Sequence, residues 1–160
     1  MKEYLIMSHL FKVVLSIFAF FLAAGQAEAG KLEVELSQAR QATALYHNLD
    51  NALIDGYVDI GVYVPGMGHH YLNFSYVDDA FEVDKPEVLV YANSEAGGKL
   101  RLVALEYLIP AALSASAPEG FTGDEDHWHI NQDINMWALH AWIWYHNPDG
   151  VFSDLNDRVD

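Results

Sequence analysis

Apolar residues recur at three- and four-residue intervals between Ser37 and Asp55, where Ala39, Ala42, Leu45, Leu49, Ala52 and Leu53 fall on one side of a helical repeat. The spacing predicts one helix over 37–55, with Ser37 as N-cap and Gly56 as stop. Leu32, Val34 and Leu36 fit either an upstream extension of that helix or a short strand. From Gly56 to Asn73 the chain turns rich in glycine and in β-branched and aromatic residues, with Pro65, Gly66 and Gly68 marking a turn. Lys85 to Pro110 reads as two strands joined through Asn93 to Gly98. In the second of them, Leu100, Leu102, Ala104, Glu106 and Leu108 alternate with Arg101, Val103, Leu105, Tyr107 and Ile109. Both sets are largely apolar, as expected of a strand covered on both sides, so this strand is placed at the centre of the sheet.

Met136 to Asn147 repeats that alternation, with Ala138, His140, Trp142, Trp144 and His146 opposite Leu139, Ala141, Ile143 and Tyr145. Its aromatic and β-branched content favours a strand, with a buried helix as the competing assignment. Residues 111–126 lack periodicity and read as a surface loop able to act as a lid. After the Asn147-Pro148-Asp149-Gly150 turn the chain ends in a loose acidic tail. The expected architecture is α+β: one N-terminal helix on an antiparallel sheet built from 57–64, 87–92, 99–109 and 137–146. Barrel-like closure of the sheet and pairing of two copies through an edge strand, giving a homo-oligomer, are both compatible with the pattern.

The start of the chain reads differently. Lys2 and Lys12 flank the beginning, Val13 to Ala24 is an apolar run, and Ala27-Glu28-Ala29 supplies small residues at cleavage spacing. Residues 1–29 are therefore expected to be a cleaved signal peptide, because the run is shorter than the ~20 residues a membrane span needs. The expected product is a secreted or periplasmic protein of one domain, 30–160, with no stable membrane insertion after cleavage. The whole chain carries a net charge of −15, and 6 basic and 21 acidic residues remain from Gly30 onward, so the charge is unchanged by cleavage. Coulomb repulsion excludes nucleic acid as a partner. The absence of cysteine excludes thiolate metal sites and thiol catalysis.

Candidate chemistry begins at Glu106, because a carboxylate on an apolar face must be paired, hydrogen-bonded or metal-bound. His69 and His70 are adjacent and point oppositely on an extended segment, so one of them can face a given site. His127-Trp128-His129 has the i, i+2 spacing with which a strand offers two imidazoles to one metal. His70, Glu106, His127, His129 and His140 thus form a candidate ligand set for a divalent transition metal, whether zinc, manganese, iron or copper. In a polar network without metal, Glu106 instead pairs with Arg101, His70 or Tyr107.

The segments VPGMGHHYLN at 64–73, KPEVLVY at 85–91, LVALEYLIP at 102–110 and LHAWIWYHNPDGVF at 139–152 resemble a family of uncharacterised small secreted bacterial proteins. Under that resemblance His70 is the shared histidine of the Met-Gly-x-His-Tyr motif and His69 its variable neighbour. Glu106 and His140 occupy the corresponding glutamate and histidine positions of the later motifs. Several relatives carry a cysteine near the positions of Gly61 and Val62, so no thiol role transfers. The resemblance implies no activity.

Three function classes follow. One is a metal-assisted enzyme with Glu106 as ligand or general base. A second is a binding module in which Tyr71, Trp142 and Trp144 stack on a small, sugar-like ligand. The third is a structural or assembly protein whose aromatics are core. No nucleophile elbow, phosphate loop or dinucleotide fingerprint is present.

Overall fold

The computed structural model describes residue 26, residues 28–94 and residues 98–159. Most of the expected leader and part of the 93–98 turn lie outside them. Helix α1 spans 28–43, so the leucines upstream of Ser37 extend the helix, and Ser37 sits inside it as acceptor for Gln41. Leu32, Leu36, Ala39 and Thr43 form its inward stripe. The single helix expected to reach Asp55 is broken instead. The Thr43 hydroxyl donates back to the Ala39 carbonyl at 2.7 Å, which competes with helix continuation. A 3-10 turn follows at Ala44–His47. Asn48 then leaves the helical conformation and caps α2, Leu49–Ile54, accepting from the Asp50 N–H. The break rotates Leu45 and Leu53 outward, each 47% exposed.

Six strands follow among the described residues: β1 Val58–Val64, β2 Gly68–Leu72, β3 Val88–Asn93, β4 Leu100–Pro110, β5 His129–Asn131 and β6 Met136–Ala141. Their order is β1-β2-β3-β4-β6-β5 with every neighbouring pair antiparallel, and β4 lies inside the sheet between β3 and β6. The sheet is open, which overturns barrel-like closure. Its edges are β1, whose register is interrupted between Asp59 and Tyr63, and β5, only three residues long, so neither edge offers the continuous ladder that closure needs.

One face of the sheet packs under α1 and α2, with Leu89, Tyr91, Leu105, Tyr107 and Leu139 in the core. The large tyrosines there are satisfied: Tyr57, Tyr91 and Tyr107 donate to the carbonyls of Pro86, Tyr46 and Val83 at 2.6–2.8 Å. The opposite face gathers Val88, Val90, Ala104, Leu108 and Ala138. Strict alternation along β4 fails at one point. The register slips where Val90 faces Ala104 but Tyr91 faces Leu102, and Val103 and Ala104 both join the second face. This bulge sends Leu100 and Leu102 to the helix side, so they do not share a face with Glu106.

Strand β6 also stops short of its expected end. At Ala141 the chain bends, Ile143 donates to the Ala141 carbonyl at 2.9 Å, and Trp142 and Trp144 diverge. Residues 151–159 have no regular secondary structure, yet Phe152, Asn156 and Val159 are buried. The Asn156 N–H donates to Gly66 at 2.8 Å, and Asn147 donates to the Leu155 carbonyl at 2.9 Å, which ties this stretch to the β1–β2 turn and to the chain after β6. The 111–126 loop is anchored by buried Phe121 and by Thr122, whose N–H and hydroxyl both donate to Glu35 on α1 at 2.7 Å.

Candidate metal centre

On the face away from the helices, three strands each contribute one polar side chain to an apolar surface. His140 stands directly across the β4–β6 ladder from Glu106. His70 comes from β2, two strand spacings or about 9–10 Å from β4, and reaches Glu106 over β3, where Val88 and Val90 occupy the intervening face. The three residues are 5%, 7% and 1% exposed for His70, Glu106 and His140. Their ligand atoms lie within 4.8 Å of one another. The Nε2 atoms of His70 and His140 are each 3.7 Å from a Glu106 oxygen, Oε2 and Oε1 respectively. These gaps are too long for hydrogen bonds. They are close to the separation of about 3.3–3.6 Å between donors bound at about 2.0–2.2 Å to one tetrahedral zinc.

The far side of each imidazole is also arranged. Nδ1 of His70 is 3.4 Å from the Val62 carbonyl on the irregular stretch of β1, which favours the tautomer with its proton on Nδ1 and a lone pair on Nε2. Nδ1 of His140 is 3.8 Å from Oδ1 of Asp154, and the same oxygen is 3.2 Å from Nδ1 of His129. At 3.8 Å Asp154 does not hydrogen-bond His140, but it stands behind that imidazole, the position from which a carboxylate supports a metal-ligating histidine. Burial lowers the pKa of His70, with the Glu106 charge offsetting only part of the effect, so it is held neutral and able to coordinate. Burial opposes protonation of His140 as well, but the charges of Glu106 and Asp154 outweigh it and raise its pKa. The His140 imidazole in turn holds Asp154 below the ordinary carboxylate range. Together these groups form a place that favours positive charge. A buried His/His/Glu cluster with this geometry is consistent with binding a divalent transition metal ion.

Comparison with protein-family models, curated proteins and solved structures finds no match. The roles of these residues therefore rest on their arrangement alone.

Of the other sequence candidates, His129 lies beside the cluster and the rest lie elsewhere. His129 stands against His140 with its ring parallel at 5° and 6.1 Å between centroids, on the wall of the same cavity. His127 precedes β5, so the alternation that would align it with His129 does not extend to it. It lines a separate hollow with Asp124, Glu125 and Asp149. Tyr71 is buried on the helix side, edge-on to Tyr91 at 5.1 Å. Trp142 donates to the Ser153 carbonyl at 2.6 Å, and Trp144 donates to the Thr43 hydroxyl at 3.0 Å with its ring against His47. Both tryptophans border a groove of about 580 Å3 beside α1, which Tyr71 does not reach. Of the expected Glu106 partners, His70 is in place, whereas the Arg101 guanidinium lies over the Tyr145 ring at 4.0 Å and Tyr107 bonds Val83. Asp154 was not distinguishable in the sequence from the acidic residues around it. The site's other unforeseen part is the apolar wall from β1, where only the β-branched composition of 58–64 gave a signal.

Proposed function

We propose that this chain is an exported metalloprotein that binds one first-row divalent metal ion through His70, Glu106 and His140 and uses the remaining coordination positions to hold and activate a small molecule. The observation that carries the proposal is the convergence of three buried donors from β2, β4 and β6 on one point at the base of a cavity, with no hydrogen bond between them. Three protein ligands and an adjacent cavity are the pattern of a catalytic metal site, whereas structural zinc sites are closed by four. When bound, the metal supplies Lewis acidity. Glu106, set between the two imidazoles, is better placed as a ligand than as a general base. Zinc, manganese, iron and copper all accept a donor set of two imidazoles and one carboxylate.

The test is metal stoichiometry by mass spectrometry of untagged protein after exposure to each of the four metals and removal of excess. About one ion per chain is expected in the wild type, with strong depletion in folded His70→Ala, His140→Ala and Glu106→Gln. Wild-type protein that stays metal-free under all four conditions ends the proposal. Export is supported by the leader pattern of residues 1–29, and no helix among the described residues is long and apolar enough to cross a membrane. The mass expected for the exported protein begins at Gly30, and a full-length chain as the sole species would refute cleavage.

A further inference from the structure

The donor cluster opens into a cavity of about 280 Å3. His70, Glu106, His129 and His140 supply its polar part, with Asn131 at one side. The rest of its wall is apolar: Ile60, Val62 and Val64 from β1, Met67 from the turn, Val88 from β3, Leu108 from β4 and Ile134 from the β5–β6 turn. Ile60, Val62 and Ile134 remain 38%, 42% and 52% exposed, so they form an apolar rim beside a buried polar base. Among the described residues neither lysine nor arginine lines the space. Beyond the metal itself, none of these lining residues pairs with a phosphate or a polyanion, and the net charge of −15 repels one. A dry apolar cavity of about 150 Å3 takes benzene, so this one accommodates a substituted single ring or a branched chain of similar bulk.

We infer that the cavity binds a small molecule about the size of a substituted single ring, with an apolar, uncharged body and an oxygen donor that it presents to the metal. The inference rests on the metal reading above. The His/Glu base fixes the polar end and the β1 and Ile134 wall takes the apolar body, the usual division of labour in a small-molecule site. The ligand is selected by what the wall excludes, since a charge carried on its body would lose its hydration against Ile60, Val62 and Val64 without gaining a partner.

Cobalt-loaded protein provides the test, because cobalt(II) absorption reports on coordination directly. The probes are acetohydroxamic acid and benzohydroxamic acid, which share one oxygen-donor group and differ in having a methyl or a phenyl body. Each is titrated into wild type, Ile60→Lys and Ile134→Lys, and protein-bound cobalt is measured in parallel. The expected result is a change in the cobalt spectrum with both probes and about 10- to 100-fold tighter binding of the phenyl compound, the gain from burying one ring. Both rim variants should retain cobalt and lose most of that preference. Equal affinity of the two probes for wild type, or full preference in both variants, overturns the cavity assignment while leaving the metal reading intact. Cobalt that departs with the hydroxamate instead of forming a mixed complex overturns it too. Wild type that takes up neither cobalt nor any of the four metals removes the metal reading and this inference with it, whereas wild type that binds one of the four but not cobalt is titrated in that metal's form by calorimetry with the same expected and refuting outcomes.

Discussion

Replacing Glu87 with glutamine should make the protein more stable at neutral and alkaline pH. Glu87 is 3% exposed and lies at the entry to β3, where its Oε2 accepts from the Leu108 N–H at 2.9 Å. Burial pushes its pKa from an ordinary 4.5 up to about 8, the Leu108 bond opposes that shift, and the charges of Asp78 and Glu82 add to it. Below pH 4.5 the carboxyl is protonated whether the chain is folded or not, and the group makes its full contribution. As pH rises above 4.5 the unfolded chain ionises while the folded one keeps its proton, so stability falls until pH passes about 8 and then levels. At ~1.36 kcal/mol per pH unit the loss across that window, from 4.5 to about 8, is on the order of 5 kcal/mol. Glutamine keeps an oxygen for Leu108 and cannot ionise. Urea denaturation of wild type and Glu87→Gln, followed by tryptophan fluorescence at pH 5, 6.5 and 8 with chelator present, isolates the effect, because charges common to both proteins cancel. The advantage of the variant should be small at pH 5 and grow by about 3–4 kcal/mol by pH 8. An advantage that does not change with pH would refute the reasoning.

Asp154→Asn should leave the fold intact and weaken metal binding by about 10- to 100-fold, because the carboxylate behind His140 is lost; competition with a coloured chelator measures it, and unchanged affinity would remove Asp154 from the site. Gly68 has φ of +122°, and a Cβ there would run into the Tyr91 carbonyl of β3. Gly68→Ala should cost at least about 1–3 kcal/mol in urea denaturation and also weaken metal binding, since relief requires β2, and with it His70, to move from β3. A variant as stable as wild type would show that the β2–β3 approach is not tight.

Much of the architecture could be read from residue patterns because it is local. The two-sided apolar character of 100–110 placed β4 inside the sheet, and the charge at Glu106 marked a polar site on an otherwise apolar face. What escaped depends on partners distant in sequence. The bulge at Val103 and Ala104 is set by the register against β3, so period-two counting grouped Leu102 with Glu106 although they lie on opposite faces. The end of β6 is fixed by Trp142 and Trp144 finding Ser153 and Thr43, not by any helix- or strand-breaking residue between them. The helix break at Thr43 involves a residue whose hydroxyl serves both Ala39 and Trp144, which helical spacing does not register. The C-terminal stretch looks unattached in sequence because its fastening comes from the Asn156 N–H bond to the distant Gly66 carbonyl, from asparagine side-chain bonds to Leu155 and His146, and from a few scattered apolar residues.

The three donors sit on β2, β4 and β6, with 36 residues separating His70 from Glu106 and 34 separating Glu106 from His140. No local segment of the unfolded chain can reproduce that set, so the site comes into being only after the long-range pairing of β2 with β3, β3 with β4 and β4 with β6 is complete. Metal capture by this centre would thus be a late event and a linked one. An ion at a hundred times its dissociation constant would add about 2.7 kcal/mol to the folded state and nothing to the unfolded one. A cysteine-free chain would then be more resistant to unfolding where the metal is plentiful and more fragile where it is scarce, so that its persistence would track the supply of the ion as well as its own sequence.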